Sequence, residues 1–145
     1  MSNDVAISGL KETQQMLVEL PLDLTRGSMG PALIAGSVVL QENLLVNAPV
    51  GHGPHPEFAP LQETIVTDVE VENLSGIAST GFGDSGPVAE WNEYGHRIVT
   101  HSGRDTGLST APNPFMRKTT DESADAAIDA FCDRLLSDVK EKYGQ

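Results

Sequence analysis

Apolar residues recur at helical spacing near the C-terminal end of the chain, at Ala124, Ala127, Ile128, Phe131, Leu135 and Val139. Polar residues fall between them, at Asp125, Asp129, Asp133 and Lys140, and Gly144 follows. Apolar positions three and four residues apart form one stripe along a helix. The pattern therefore predicts a long C-terminal helix that lies on a sheet or a partner, with Cys132 as a small, half-buried side chain beside the stripe.

Two starts are compatible with this helix. Asn113 followed by Pro114 has the form of an N-cap followed by a proline at the first helical position. Thr119 and Glu122 have the spacing of a capping box. We favour the earlier start.

Two more helices are predicted in the first third of the chain. The first begins at Ser8, ends or bends at Pro21, and carries an apolar face of Leu10, Leu17, Leu20 and Leu24; Val5 and Ile7 precede it as a possible short edge strand. The second covers residues 28–47 and stops before Pro49. Its apolar residues occur almost all round the axis, which is typical of a sandwiched helix. We expect it between the sheet and the first helix, or between the sheet and another subunit.

Strict alternation follows at residues 64–72, where Asp68, Glu70 and Glu72 share one face of a predicted half-exposed strand. Residues 74–82 are predicted to pair with it as an antiparallel hairpin. Residues 96–101 are a candidate short strand. The stretches at 48–60, 83–87 and 102–112 contain glycine and proline and are predicted to be loops.

Residues 88–95 hold the only tryptophan, Trp91, and one of two tyrosines, Tyr94, with Glu90 and Glu93 beside them. Because large rings bury much area, this pair is a predicted packing anchor for the core or for a neighbouring subunit. Locally the stretch predicts a short amphipathic turn that ends at Gly95, a residue able to adopt positive φ.

Together these elements predict one α+β domain over residues 1–145. It has N-terminal helices, a small twisted antiparallel sheet of three or four strands with long loops, and a long C-terminal helix. The length is typical of one domain, and the modest apolar content indicates that partners complete part of the core.

Charge and cysteine content narrow the classes of function. A net charge of −12 argues against a protein that binds the phosphates of nucleic acid. A channel through which DNA passes without binding would, however, also be acidic. The single Cys132 excludes an intrachain disulfide. No run of apolar residues approaches the length of about 20 that a membrane span needs, and residues 1–10 lack the basic residues of a signal peptide. We expect a soluble intracellular protein.

The search for catalytic patterns gives nothing specific. Residues 81–86 have the spacing Gly-x-Gly-x-x-Gly, but dinucleotide binding also requires a βαβ unit, so we interpret them as the loop leaving the hairpin. His52 and His55 are three residues apart in a proline-rich loop. Together with His96 and His101 they could bind a metal ion, so a small metal-assisted hydrolase stays an alternative. We expect no catalytic residue, no cofactor and no bound metal.

Five short motifs occur in an order that resembles the small head-tail joining proteins of long-tailed bacteriophages, also called tail-completion, neck or minor tail-component proteins. Ile7-Ser8-Gly9-Leu10-Lys11-Glu12 resembles the start of the first helix in that family, and Asn47-Ala48-Pro49-Val50-Gly51 the start of its long loop. Leu61-Gln62-Glu63-Thr64-Ile65 resembles a strand start. Glu90-Trp91-Asn92-Glu93-Tyr94-Gly95 is similar to the family's "Trp-Val-Glu-Phe-Gly-Thr", and Asn113-Pro114-Phe115-Met116-Arg117 to "Pro-Phe-Leu-Arg-Pro-Ala".

The resemblance implies a structural virion protein, made in the host cytoplasm, that forms a ring at the head-tail junction. Its expected partners are further copies of itself, in a ring typically of six, and the neck, connector and tail-tube proteins of the phage. DNA is expected to pass through the ring without specific binding. No membrane partner is expected. Free subunits can stay monomeric until a tail or connector provides a template. The candidates for subunit packing are Trp91, Glu93, Tyr94, Gly95, Pro114 and Phe115.

Asp68, Glu70 and Glu72 are candidates for an acidic lining of the ring lumen, with an ordinary solvated strand face as the alternative. The competing functions are a monomeric binding or adaptor module, a phage assembly factor, and the metal-dependent hydrolase.

Overall fold

The computed structural model describes residues 18–19, 27–50, 60–72 and 75–143. The predicted edge strand at Val5 and Ile7, the predicted first helix apart from Val18 and Glu19, and the loop that carries His52 and His55 lie outside these ranges.

Three helices and four strands are described in an α+β arrangement, which confirms the predicted class and the long C-terminal helix. In chain order they are α1 (Met29–Asn47), a 3-10 turn (Leu61–Thr64), β1 (Ile65–Glu72), β2 (Ser75–Phe82), α2 (Gly86–Tyr94), β3 (Arg97–Val99), β4 (Asp105–Ser109) and α3 (Phe115–Tyr143). The four strands pair as two separate antiparallel hairpins, β1–β2 and β3–β4, rather than as one sheet.

Helices α1 and α3 pack closely and antiparallel, because the residues that meet between them are small. Ala32, Gly36 and Ser37 of α1 are buried, as are Ser123 and Ala127 of α3. A Cβ built on Gly36 would lie 2.9 Å from the carbonyl oxygen of Ala127, closer than side chains normally approach. Ser37 and Ser123 donate to carbonyls of their own helices, which satisfies their hydroxyls inside this contact.

The hairpin β1–β2 pairs antiparallel, and exposed and half-buried residues alternate along β1 as predicted. Ile65 pairs with Phe82 and Glu72 with Ser75 at its two ends, and the inner face packs along α1, where a Cβ on Gly76 would meet Leu33. A cross-strand hydrogen bond joins the hydroxyls of Thr67 and Thr80 at 3.0 Å. The outer face of the hairpin is exposed to solvent.

The main apolar cluster lies where the C-terminal end of α1, the 3-10 turn, α2 and the start of α3 meet. Its buried members are Leu44, Ala48, Leu61, Ala89 and Phe115, with Ile65, Phe82, Val88 and Met116 packed around them. Phe115 is its largest ring and meets Phe82 edge to face, with centroids 5.7 Å apart. Asn47 extends the contact between α1 and α3, since its amide donates to the hydroxyl of Thr119 at 3.1 Å.

Helix α1 packs against β1–β2 on one side and against α3 on another. Ile34, Val38, Leu45 and Val46 are exposed, and the prediction that the first helix or another subunit covers part of α1 stays a prediction. By length and composition alone α1 could also cross a membrane, contrary to the expectation of no such run; this is weak evidence, because core helices pass the same test.

Two details of α3 differ from the predicted stripe. Ile128 is exposed, and Cys132 is exposed rather than half-buried. The tight contact with α1 is centred on Ala127, and the next residue along a helix points about 100° away from its neighbour. Ile128 is therefore turned to the outside.

Strand β4 occupies a stretch that was predicted to be a loop. Its sequence, Asp-Thr-Gly-Leu-Ser, lacks the alternation of a half-buried strand, and Gly107 has φ of 75°. Ile98 pairs with Leu108, and the register shifts between Ile98 and Val99. The strand depends on this pairing rather than on an apolar pattern of its own.

Candidate functional site

Glu93 is buried between α2 and α3, with only 1% of its surface exposed. Its carboxylate accepts hydrogen bonds from the backbone N–H of Met116 at 2.9 Å and of Arg117 at 3.3 Å, and from Nε of Arg117 at 3.1 Å. We call this contact the Glu93 junction. It joins residues 24 positions apart and fixes the end of α2 to the beginning of α3.

The position of this carboxylate explains how a charged group is tolerated in the interior. The first N–H groups of a helix have no partner within the helix and carry the positive end of its dipole. Glu93 supplies the missing acceptor and a negative charge at that end, while Arg117 keeps its side chain 65% exposed and forms an ion pair with it. A glutamate from another helix thus caps α3.

Gly95 ends α2 in a conformation that side chains rarely adopt. Its φ is 75°, as predicted from its place at the end of the stretch. A Cβ at this position would lie 2.5 Å from the carbonyl oxygen of Thr110 and 3.2 Å from the nitrogen of Pro112. The glycine therefore allows both the sharp turn after α2 and the close approach of the chain that leads into α3.

Phe115 begins α3 and anchors it in the core, whereas Pro114 just before it is exposed. The helix starts near the earlier of the two predicted positions, and Thr119 lies inside it, donating to the carbonyl of Phe115. The backbone N–H of Asn113 donates to the carbonyl of Asn92 at 2.8 Å, which adds a second tie between α2 and the start of α3.

Trp91 and Tyr94 do not anchor the core. They are 52% and 60% exposed, on the side of α2 opposite the buried Ala89 and Glu93. Trp91 lies against the ring of His96 with centroids 5.8 Å apart, and the guanidinium of Arg117 lies 5.3 Å from the centre of the Tyr94 ring. The prediction of a role in packing against a neighbouring subunit stays a prediction.

The hairpin β3–β4 and its turn, residues 97–109, form what we call the arm. Every residue of the arm is exposed. Ile98 and Leu108 are opposite each other in register and so share one face, while Arg97 forms an exposed ion pair with Asp105 at 3.0 Å. The arm is attached at its base, where Thr110 bonds to His96.

Asp68, Glu70 and Glu72, which we call the carboxylate row, lie on the outer face of β1–β2 and are all exposed, as the alternation predicted. Ile77, which is opposite Glu70 in register, belongs to the same face and is also exposed. This face therefore combines three negative charges with a large aliphatic side chain.

The four histidines do not form a metal site within the described part of the chain. His96 and His101 are exposed, and no group of three potential metal ligands is found among the described residues. His52 and His55 lie outside the described residues, so the metal-dependent alternative stays a hypothesis. The Gly-x-Gly-x-x-Gly stretch runs from the end of β2 through a turn into the nine-residue helix α2, in an antiparallel setting.

Glu93, Gly95 and Phe115, which are candidates for subunit packing from the sequence, lie at the junction within the chain, and their contact with a neighbouring subunit stays a prediction. The sequence pattern does not single out the arm residues Ile98 and Leu108. One available signal was the distribution of charge: between Glu93 and Asp121 four basic residues accompany one acidic residue, so this stretch carries +3 and the remainder −15.

No family model, curated protein or solved structure matches this chain.

Proposed function

We propose that this protein is a structural subunit of a long-tailed phage virion, which forms a ring at the head-tail interface, joins the tail to the connector and lets DNA pass. The proposal starts from the five motifs that occur in the family's order along the sequence. It does not depend on any catalytic group.

The observation that carries the proposal furthest is the Glu93 junction. Two of the five motifs, Glu90 to Gly95 and Asn113 to Arg117, are separated by the arm in sequence and meet in space through Glu93 and the N–H groups of Met116 and Arg117. Residues that carry the resemblance thus have a joint structural role. This role explains why a glutamate, a glycine and a phenylalanine occur at positions 93, 95 and 115.

The exposed surfaces also support an assembling protein. Trp91 and Tyr94 of α2 and Ile98 and Leu108 of the arm are all exposed. Aromatic and arginine side chains are enriched in protein interfaces. A subunit that is completed by neighbours would leave such groups exposed when it is described alone.

The proposal is tested by removing the gene from a phage that encodes it and restoring it in trans. We expect heads and tails that fail to join, or tails of defective length, and recovery of infectious particles with the wild-type chain. Normal particles without the protein would contradict a structural role in the virion. A chain needed for assembly yet absent from purified particles would favour the assembly-factor alternative.

The lumen-lining role of the carboxylate row is a separate proposal within the same function. Replacement of Asp68, Glu70 and Glu72 by Asn or Gln would remove the repulsion between the row and the DNA backbone. We expect altered DNA passage or infectivity in phage that carry this variant, with particle assembly unchanged. Unaltered infectivity would contradict the lining role.

A further inference from the structure

One face of α1 has no cover within the described part of the chain. Ile34, Val38 and Leu45 are 52%, 42% and 38% exposed. At 100° per residue they lie within about 40° of one another around the helix axis, and we call these three residues the α1 stripe. A helix that is apolar on every side is normally covered on every side, so the stripe calls for a cover.

The α1 stripe faces away from both neighbours of the helix. Gly36, where α3 packs, is about 160° from Val38 around the axis. Leu33, which lies against Gly76 of β2, is about 100° from Ile34. Helix α3 and the β1–β2 hairpin therefore occupy two sides of α1, and the stripe lies on a third.

The chain carries a matching set of apolar residues just before α1. Leucines occur at positions 10, 17, 20 and 24, and on a helix these positions fall within about 80° of one another. We propose that residues 8–20 form a helix that binds antiparallel along the α1 stripe of the same chain.

The short connection between the two helices gives the direction. Met29 begins α1, and eight residues, from Pro21 to Ser28, separate it from the proposed helix. Connections of two to eight residues are typical between neighbouring helices in a bundle, and such neighbours run antiparallel. Pro21 is a suitable end for the first helix, because its ring clashes with a continuing helix.

The spacing of the two apolar sets agrees with this direction. Leu17 lies seven residues after Leu10, and Val38 lies seven residues before Leu45. An antiparallel pair that places Leu17 beside Val38 therefore also places Leu10 beside Leu45. The same alignment brings the leucine at position 20 within one turn of Ile34.

The two described residues of this segment agree with the alignment. Val18 and Glu19 are helical and exposed, and the side chain of Val18 belongs to the exposed large apolar residues of the chain. At 100° per residue, both positions turn away from the side on which the leucines lie. A helix whose leucines meet α1 would leave these two side chains in solvent.

The outer face of α3 is the rival site for the same helix. A Cβ on Gly27 would lie 3.4 Å from Nζ of Lys142, so the chain enters α1 beside the end of α3. The outer face of α3 exposes apolar residues at intervals of four, at Ile128, Cys132 and Leu136. Aspartates are interspersed among them in the sequence, at 125, 129 and 133. Residues 8–20 carry two glutamates and one lysine, so like charges would meet on α3, whereas α1 has a single charged residue, Glu42.

This inference goes beyond the proposed function and does not depend on it. It concerns the cover of one helix within one chain. It holds or fails whether or not the chain is part of a virion, and a chain that is dispensable for virion assembly would leave it unaffected.

The first experiment traps the contact with paired cysteines in the full-length chain, in a Cys132→Ser background. Leu17→Cys with Val38→Cys should form an intramolecular disulfide on mild oxidation, in at least about tenfold higher yield than Leu10→Cys with Ile34→Cys. In the proposed alignment the second pair is eleven residues out of register, about 16 Å along the axis, and a disulfide requires Cα atoms within about 7 Å. Mass spectrometry and non-reducing gels separate links within a chain from links between chains.

A third variant tests the rival face directly. It carries Leu17→Cys and keeps the native Cys132 of α3. We expect at least about tenfold less intramolecular disulfide from this variant than from Leu17→Cys with Val38→Cys.

The second experiment measures the alkylation rate of single cysteines in the same Cys132→Ser background. Leu45→Cys lies on the stripe, and Val46→Cys, one residue on and 83% exposed, lies beside it. The thiol at position 45 should react at least about tenfold more slowly. Adding Leu17→Asp should remove this protection, whereas Val18→Asp, the matched control on the exposed side of the same segment, should preserve it. Circular dichroism confirms that each variant is folded, and the cysteine pairs decide alone if Leu17→Asp unfolds the chain.

Three results would overturn the inference. Disulfides that form only between chains would show that a second copy covers the stripe. A preferred link from position 17 to Cys132 would place the helix on α3. Equal alkylation at positions 45 and 46, unchanged by Leu17→Asp, would show that residues 8–20 do not cover the stripe.

Discussion

Replacement of Glu93 by alanine tests the Glu93 junction most directly. The change removes the acceptor of two backbone N–H groups and of Nε of Arg117. Loss of a helix cap costs about 1 kcal/mol, and loss of a hydrogen bond to a charged group costs about 1.5–3 kcal/mol. Arg117 is 65% exposed and can be solvated by water, so the full cost of a broken buried pair does not apply. We expect a loss of about 2–4 kcal/mol in the free energy of unfolding.

This loss is large compared with the total stability of a single domain, about 5–15 kcal/mol. The assay is urea unfolding followed by the fluorescence of Trp91, which is the only tryptophan and lies in the same helix as Glu93. Unchanged denaturant slopes would show that the variants differ in stability rather than in compactness. Far-ultraviolet circular dichroism provides a second probe of the same transition.

Three variants serve as controls for this prediction. Glu93→Gln keeps one acceptor oxygen without the charge, so its loss should be intermediate. Arg117→Ala leaves the backbone N–H groups bonded to Glu93 but removes the counter-charge of a buried carboxylate, so it should cost about 1.5–3 kcal/mol. Glu90→Ala removes an exposed carboxylate from the same helix and should change stability by less than about 0.5 kcal/mol. The reasoning is refuted if Glu93→Ala is as stable as wild type, or if Glu90→Ala is destabilised equally.

Three further stability predictions use the same unfolding assay. Gly95→Ala should cost at least about 2 kcal/mol, because the new side chain would have a positive φ and would also clash with the backbone of Thr110. Gly103→Ala has a positive φ but no atom near the added Cβ, so it should cost only about 1 kcal/mol. Equal losses would contradict the clash at Gly95. Gly36→Ala should cost about 1–3 kcal/mol, because the added Cβ would force α1 away from α3. Gly30→Ala is its control in the same helix: a Cβ at Gly30 meets no atom within 4 Å, so the change should be neutral or stabilising by up to about 1 kcal/mol. Stabilisation by both changes would show that the helices do not pack closely at Gly36. Phe115→Ala should cost about 3–5 kcal/mol, and a cost below about 1 kcal/mol would place the core elsewhere.

The elements with a strong period could be predicted closely from the sequence. The predicted strand at 64–72 and its partner at 74–82 correspond to β1 and β2 within one residue at each end, because a period of two with one covered face leaves little freedom of register. Helix α1 was likewise delimited by Ser28 at its start and by Asn47 at its end.

Features that depend on tertiary contacts could not be predicted in this way. A glutamate is almost never fully buried without a partner, and the partner of Glu93 is a helix end more than twenty residues away along the chain. The exposure of Ile128 follows from a close helix contact centred on small residues, which a stripe of apolar positions does not reveal. Strand β4 depends on pairing with β3, and its sequence has no strand pattern of its own.

The central claim is that this chain is a structural subunit at the head-tail junction of a phage particle. Electron microscopy of virions, with the chain located in the density, tests it most directly. We predict a ring of copies at the junction, around the path of the DNA, with the Glu93 junction inside each subunit. Particles whose head-tail junction is fully accounted for by other proteins, without density for α1 and α3 of this chain, would contradict the claim.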